Sequence, residues 1–406
     1  MPDPSGEPDQ TILIRVSGPD RPGVTAQLMA LLARIGAVLD DVEQVVIRRH
    51  LTLGLVARVP VGTDLSRLHD LGEANGLSLE VEATDSTPTE RALGTVVTVL
   101  APIVGPDDLG AIAGAVAAAG GNIDRIIRLA KYPVTSYELT VLGTPIDTLR
   151  PGLLNVARDR SIDVAIQPDG LGRRSQRLVV LDVDSTLIQN EVIDLLADEA
   201  GCGDAVSALT AQAMAGELDF EAALRARVAL LAGLDISALD RVRERVELTP
   251  GARTFVRTLH RMGFRVAIVS GGFTFVTDDL AERLGVDHTA ANELEITDGQ
   301  LTGRVVGAVV DRRRKAEMLR EVAALEGISV DQTVAIGDGA NDLDMLAAAG
   351  LGIAFNAKPI VRDQADAAVN VPYLDAILFV LGVRRSEVED ADVRDGLSPD
   401  EIRAPI

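Results

Sequence analysis

Residues 177–194 read RLVVLDVDSTLIQNEVID, in which an apolar run from Leu178 to Leu181 meets two carboxylates, Asp182 and Asp184. A short apolar run of this kind reads as a strand buried on both faces, as in parallel sheets. Alternation along the strand turns both acids to the same side. Like charges so close repel each other, and removing them from water costs free energy unless a positive charge compensates. The remainder of the chain has to supply that charge.

Beyond this stretch, FRVAIVS, TVAIGDG and LGIAF read as further β-rich runs separated by helical patterns. Strands alternating with helices indicate an α/β fold with a doubly wound parallel sheet. A long helical segment, about 191–249, follows the first strand and carries no strand pattern, so it reads as an inserted helical cap. GLGRRSQ, from Gly170 to Gln176, is polar and rich in Gly and Arg, and reads as a linker. DVRDGLSPDEIRAPI, at the C-terminal end, is charged and aperiodic and reads as a weakly ordered tail.

Toward the N-terminus the pattern changes. TILIRV, GVTAQLMALLARIG, AVLDDVEQVVIRRHLTLGLVARV, DLSRLHDLGEANG and LSLEVEA give β-α-β-β-α-β. The same order recurs from TVVTVLA to IDVAIQ, with Gly36 and Asp40 matched by Gly120 and Asp124, 84 positions on. Two tandem α+β ferredoxin-like units follow from this repeat. The expected boundaries are a tail at 1–9, ferredoxin-like domains at 10–87 and 92–168, a linker at 169–177, the α/β domain at 178–383 and a polar tail at 384–406.

The 406 residues suit two or three domains. With 39 basic against 61 acidic residues the net charge is −22, and aromatics make up only 2%. Nucleic acid and anionic lipid are therefore poor partners, and an anionic substrate needs a local positive site. One cysteine, Cys202, excludes an internal disulfide. The N-terminal MPDPSGEPDQ lacks the features of a secretory signal, and the apolar runs are too short to span a membrane. A soluble, cytoplasmic protein is expected.

In an open parallel sheet, ligands bind beyond the carboxyl ends of the strands. Asp182 and Asp184 stand at that end of the first strand, Ser270 of VSGGF at the second, and Asp338 of GDGAND at a third. Lys315 opens a helix between the second and third. A hard divalent cation on Asp182 and Asp338, Mg²⁺ by preference, together with Lys315, balances the acids. The Gly271–Gly272 pair lets backbone N–H groups approach an anion. These parts add up to phosphoryl transfer, with Asp182 as nucleophile and Asp184 as acid and base. Taken singly, each has a duller reading: D-x-D and S-G-G are commonly turns, and a lysine at a helix start is commonly solvated.

The ordered set DVDST, SGG, Lys315 and GDGAND, over about residues 177–383, resembles the haloacid-dehalogenase superfamily, in particular its branch acting on phosphoserine. The resemblance implies Mg²⁺ on the carboxylates of Asp182 and Asp338 and on the main-chain carbonyl of Asp184. It implies phosphate held by Ser270, Gly271 and Lys315, helped by Asn341, with Asp342 supporting the site from behind. In the cap it implies Glu191 as ligand of the substrate ammonium and Arg227 as ligand of its carboxylate. Met214 and Phe220 either close the pocket or form cap core. O-Phospho-L-serine is then the expected substrate, at the last step of serine biosynthesis. Two rivals stand beside this: hydrolysis of another small phosphomonoester, and an amino-acid-binding regulator with an inactive hydrolase domain.

The N-terminal repeats resemble ACT domains, which bind small molecules and commonly pair between subunits. VSGPDRPGV implies Gly18 and Asp20 as ligand contacts for serine or another amino acid. APIVGPDDLG lacks the D-R-P-G run and leaves Gly105 as its best candidate. A homodimer or higher homo-oligomer is expected. His50, His69, His260 and His288 show no metal-ligand spacing and are expected to be structural or exposed; Cys202 has no evident base and is expected to be inert.

Overall fold

The computed structural model describes residues 9–84, 94–214 and 218–398, the side chain of Met214 excepted. The chain divides into two compact units, residues 1–90 and 91–406.

In the first unit, β1 (Asp9–Pro19), α1 (Val24–Arg34), β2 (Val38–Ile47), β3 (His50–Pro60), α2 (Ser66–Asn75) and β4 (Ser78–Ala83) follow in order. The antiparallel sheet runs β2-β3-β1-β4. Period-2 alternation sends Ile12, Ile14 and Val16 of β1 and Leu51, Leu53 and Leu55 of β3 inward, against Val24, Leu28 and Leu32 of α1. β2 is exposed along its whole length. Gly18 belongs to β1 rather than to the following loop, because the ladder continues through Gly18↔Leu51 and Pro19↔His50. A Cβ there would come within 2.7 Å of a Leu77 methyl, at a φ of +156°, so only glycine fits.

The second unit begins with the same topology: β5 (Thr95–Ala101), α3 (Pro106–Ala118), β6 (Asn122–Ala130), β7 (Thr135–Leu142), α4 (Ile146–Arg160) and β8 (Asp163–Pro168). A short helix α5 (Leu171–Arg174) leads into β9 (Leu178–Leu181). The inserted segment holds α6 (Val192–Glu199), α7 (Gly203–Met214), α8 (Phe220–Ala229) and α9 (Ser237–Arg245). There follow α10 (Ala252–Arg261), β10 (Arg265–Phe273), α11 (Thr274–Leu284), β11 (His288–Thr297), β12 (Gln300–Val306), α12 (Arg312–Leu325) and β13 (Thr333–Gly337). The chain closes with α13 (Leu343–Ala348), β14 (Leu351–Phe355), α14 (Pro359–Arg362), β15 (Ala367–Val369), α15 (Ile377–Val380) and α16 (Arg385–Arg394).

The parallel strands are ordered β11-β10-β9-β13-β14-β15. Chain direction therefore reverses its spread across the sheet between β9 and β13, the crevice where ligands of such sheets bind. β9 is buried on both faces: Leu178 and Val180 join one core cluster, Val179 and Leu181 the other. β15 pairs antiparallel with β8 at Ala367↔Ala165, which fuses the parallel sheet with β8-β5-β7-β6 into one sheet of eleven strands.

The linker stretch holds α5, and Gln176 at its end is 5% exposed. One expectation needs correction. The charged tail is partly structural, because α16 places Asp392 in full burial, where it accepts from Arg257 and Arg261. Paired charge at Asp392 and Arg385, with one apolar anchor at Val388, holds that helix. A hairpin, β11–β12, also escaped notice, although Asp298–Gly299 at φ +52° and +77° is the two-residue turn such hairpins favour. Among the described residues no helix is long and apolar enough to cross a membrane.

Candidate active site

β9 ends at Leu181, and Asp182 stands immediately beyond it, 3% exposed, its N–H held by the Ile336 carbonyl of β13. Lys315 reaches it from the first turn of α12, a helix whose N-cap Asp311 accepts the Arg314 N–H. The Lys315 Nζ lies 2.6 Å from Asp182 Oδ1 and 2.7 Å from Asp342 Oδ1, with all three side chains buried. Burial by itself would lower the lysine pKa, but the two carboxylates outweigh it and hold the ammonium above its ordinary value.

One ammonium does not neutralise the acids around it. Asp182, Asp338 and Asp342 each bring an oxygen within 4.8 Å of the others. Asp338 is pushed up to about 6, first by burial and then by the charges of Asp342 and Glu191. Asp182 is raised by burial and by Asp342, against the pull of Lys315. Oxygen donors under mutual repulsion are what a hard divalent cation binds. Gly337 makes the cluster possible, since a Cβ there would come within 2.4 Å of the Asp342 carboxyl. Thr186 Oγ1 donates to Asp338 Oδ1 at 3.3 Å.

Asp184 turns elsewhere. Its Oδ1 accepts the Val192 N–H at the start of α6, and its Oδ2 accepts from Ser270 Oγ at 3.3 Å. Burial, then the nearby charge of Glu191, push this carboxyl up to about 7. Ser270, 1% exposed, in turn accepts the Gly272 N–H. A Cβ on Gly272 would lie 2.7 Å from Asp184 Oδ2, and one on Gly271 would lie 3.0 Å from the Phe220 ring. Both glycines are therefore needed for close approach.

Asp182, Asp184, Asp338, Asn341, Gly271 and Gly272 line a cavity of about 330 Å³ together with Glu191, Phe220 and Arg227 from the cap. Ser270, Lys315 and Asp342 lie behind that lining. Glu191 accepts from Ser185 Oγ at 2.7 Å. Arg227 donates to the Ala223 carbonyl and, at 3.5 Å, to Thr210 Oγ1, with no acid in ion-pair contact among the described residues. Burial lowers its pKa, opposed by Glu191, Asp194 and Asp184. The Met214 side chain lies outside the described residues.

Sequence reasoning missed Lys358, Ile360 and Val361, which also line the cavity. They follow β14, so the rule that placed the acids beyond strand ends applied equally to FNAKPIV. Gly18 and Asp20 lie in the first unit, where the Asp20 N–H is taken by the Arg49 carbonyl. Gly105 caps α3, and its N–H is taken by Asp108. His50 contacts Ser17, His260 contacts Asp287 and His288 contacts Glu326. Cys202 is half-buried.

Residues 179–347 match the haloacid dehalogenase-like hydrolase family, and residues 10–83 and 94–167 each match an ACT domain family. A phosphoserine phosphatase of Streptomyces coelicolor is 54% identical over 94% of this chain and 94% of its own. One of Mycobacterium tuberculosis is 50% identical over 95% of this chain and 96% of its own. Among solved structures, a probable phosphoserine phosphatase from Vibrio cholerae aligns at TM-score 0.58 and 35% identity, over 78% of this chain and 92% of that one. A HAD family hydrolase from Salmonella enterica serovar Typhi aligns at TM-score 0.62 and 31% identity, over 71% and 98%.

Proposed function

This chain belongs to the phosphoserine phosphatases of the haloacid dehalogenase-like hydrolase family, and from that premise we propose how its own residues hydrolyse O-phospho-L-serine. Asp182 attacks phosphorus, the bond to the serine oxygen breaks, and Asp184 gives that oxygen its proton. Asp184, now ionised, takes a proton from water, which attacks the aspartyl phosphate, releases inorganic phosphate and restores Asp182. A carboxyl held near neutrality suits both halves of this cycle.

Lys315 fixes the orientation of Asp182 and offsets negative charge in the transition state, with the backbone N–H of Gly271 as a further donor and that of Gly272 holding Ser270 Oγ in place. Asn341 helps to anchor the phosphate. Asp182 and Asp338, with Asp342 beside them and the Asp184 carbonyl, would hold Mg²⁺. Bound there, the ion supplies Lewis-acid polarisation of the phosphate and screens the acids from one another. Glu191 takes the substrate ammonium and Arg227 its carboxylate, the latter in the planar two-donor geometry a guanidinium offers. The same reading takes the protein to be cytoplasmic and a homo-oligomer. Apolar residues along exposed β2, such as Val45 and Ile47, support self-association. Serine would bind the ACT folds near Gly18 and Asp20.

The observation that carries this reading is the Lys315 ammonium clasped between Asp182 and Asp342, in a site that also presents Glu191 and Arg227. Phosphate release from O-phospho-L-serine, with and without Mg²⁺, tests it. Activity should vanish in Asp182→Asn, and a clear preference for sugar phosphates over phosphoserine would refute the substrate.

A further inference from the structure

A second cavity, of about 300 Å³, opens where β8, α4 and α5 meet the start of β14. It lies within the second unit and apart from the turn at Gly105. β8 lines it through Ile166, Gln167 and Pro168, whose ladder partners sit at the Thr95 end of β5, whereas Gly105 follows the opposite end, past Ala101.

Four polar groups on its wall have unmet capacity, the first being Arg173, whose buried Nε has no partner among the described residues although its Nη2 pairs with Glu138. Gln176 is 5% exposed, and among the described residues its side-chain amide has no hydrogen-bond partner. The amide is open to the cavity, where it can both donate to and accept from whatever enters. Arg150 donates only to the Asp366 carbonyl, at 3.3 Å, and among the described residues no acid pairs with it. Asp366 directs its carboxylate to the Gly352 N–H, 2.8 Å away, and has no cationic partner among them either. An unpaired guanidinium and an unpaired carboxylate therefore stand side by side, with an amide that both donates and accepts nearby. A simple anion would face Asp169, Asp331 and Asp366, and a simple cation would face Arg150 and Arg173. A small molecule carrying both charges complements this mixed wall.

We propose that this cavity binds an α-amino acid as its zwitterion, and that occupancy is relayed to the catalytic cavity through the segment from Gly350 to Asn370. Gly350 and Leu351 line the second cavity at the start of β14. β14 then crosses the sheet, and Lys358, Ile360 and Val361 beyond its other end line the catalytic cavity. α14 returns the chain to Asp366, back at the second cavity, and β15 then pairs with β8. One continuous segment thus contributes walls to both cavities. The relay, though not the binding, rests on the catalytic reading of the first cavity.

Calorimetry on the full chain with glycine, L-serine and L-leucine, and with acetate and methylamine as single-charge controls, tests the site. At least one of the amino acids should bind, the controls should not, and Arg150→Ala and Gln176→Leu should each weaken that binding by about tenfold or more. Binding of no amino acid, binding unmoved by both variants, or equal binding of acetate overturns the site. The relay is read as a change in KM or kcat for p-nitrophenyl phosphate, caused by the bound amino acid in wild type and absent in Arg150→Ala. Binding without any such change overturns the relay and leaves the site standing. A wild type that hydrolyses no phosphomonoester defeats the catalytic reading instead, and the calorimetry still decides the site.

Discussion

At the scale of single residues, the chemistry turns on an excess of buried acid over buried base. Lys315 balances one of the carboxylates around it, and Asp338 stays raised to about 6. A divalent ion should therefore stabilise as well as activate. Added Mg²⁺ is expected to raise the thermal midpoint of wild type and to do so far less in Asp338→Asn, read by scanning calorimetry. Chelation should abolish phosphate release, and Mg²⁺ should restore it. Lys315→Met should lower kcat about a hundredfold or more, since it removes a preorganised charge at the reacting centre. Arg227 stands in the cap, on α8. Arg227→Ala should raise KM for O-phospho-L-serine by about tenfold or more, yet leave p-nitrophenyl phosphate little affected, because only the former presents a carboxylate.

Among the elements, α16 shows how charge adds to a single apolar anchor, Val388, in docking a helix. Asp392 is fully buried, and Arg257 and Arg261 of α10 converge on it. Breaking such a cluster by removing the acid leaves two guanidinium groups facing a buried gap. Asp392→Ala should cost about 3–5 kcal/mol by denaturant unfolding, with catalysis at the opposite edge of the fold unchanged in mechanism. α12 is the counterpart on the catalytic side. Its N-cap bond from Asp311 sets where the helix begins, and hence where Lys315 enters the core.

For the molecule as a whole, the second ACT fold and the catalytic fold share one sheet. The seam is polar: Asp163 of β8 accepts the Asn370 N–H and side-chain Nδ2–H, each at 2.6 Å, and Gln167 donates to the Val380 carbonyl. Burial raises the Asp163 carboxyl above its usual value despite those bonds. The folded state then binds its proton more tightly than the unfolded chain does. The group's contribution to stability is present below about pH 4 and declines as pH climbs through the raised value. Asp163→Asn should therefore gain on wild type as pH rises above about 4, measured as the difference in unfolding midpoints.

Much of this was legible in the residues themselves. Short apolar strands ending in Asp182, Ser270 and Asp338 specify a parallel sheet and its active edge, because a strand buried on both faces admits polar groups only at its ends. The β-α-β-β-α-β repeat is likewise local, written in alternation and turns. What the tertiary structure decided was every partnership between distant segments. No periodicity announces that Asp342 shares Lys315 with Asp182, that Asp392 holds α16 in place, or that β15 joins β8 and leaves a cavity beside Gln176. Those outcomes depend on which buried charge or amide finds a complement across the fold, and that is fixed only once the chain has closed on itself.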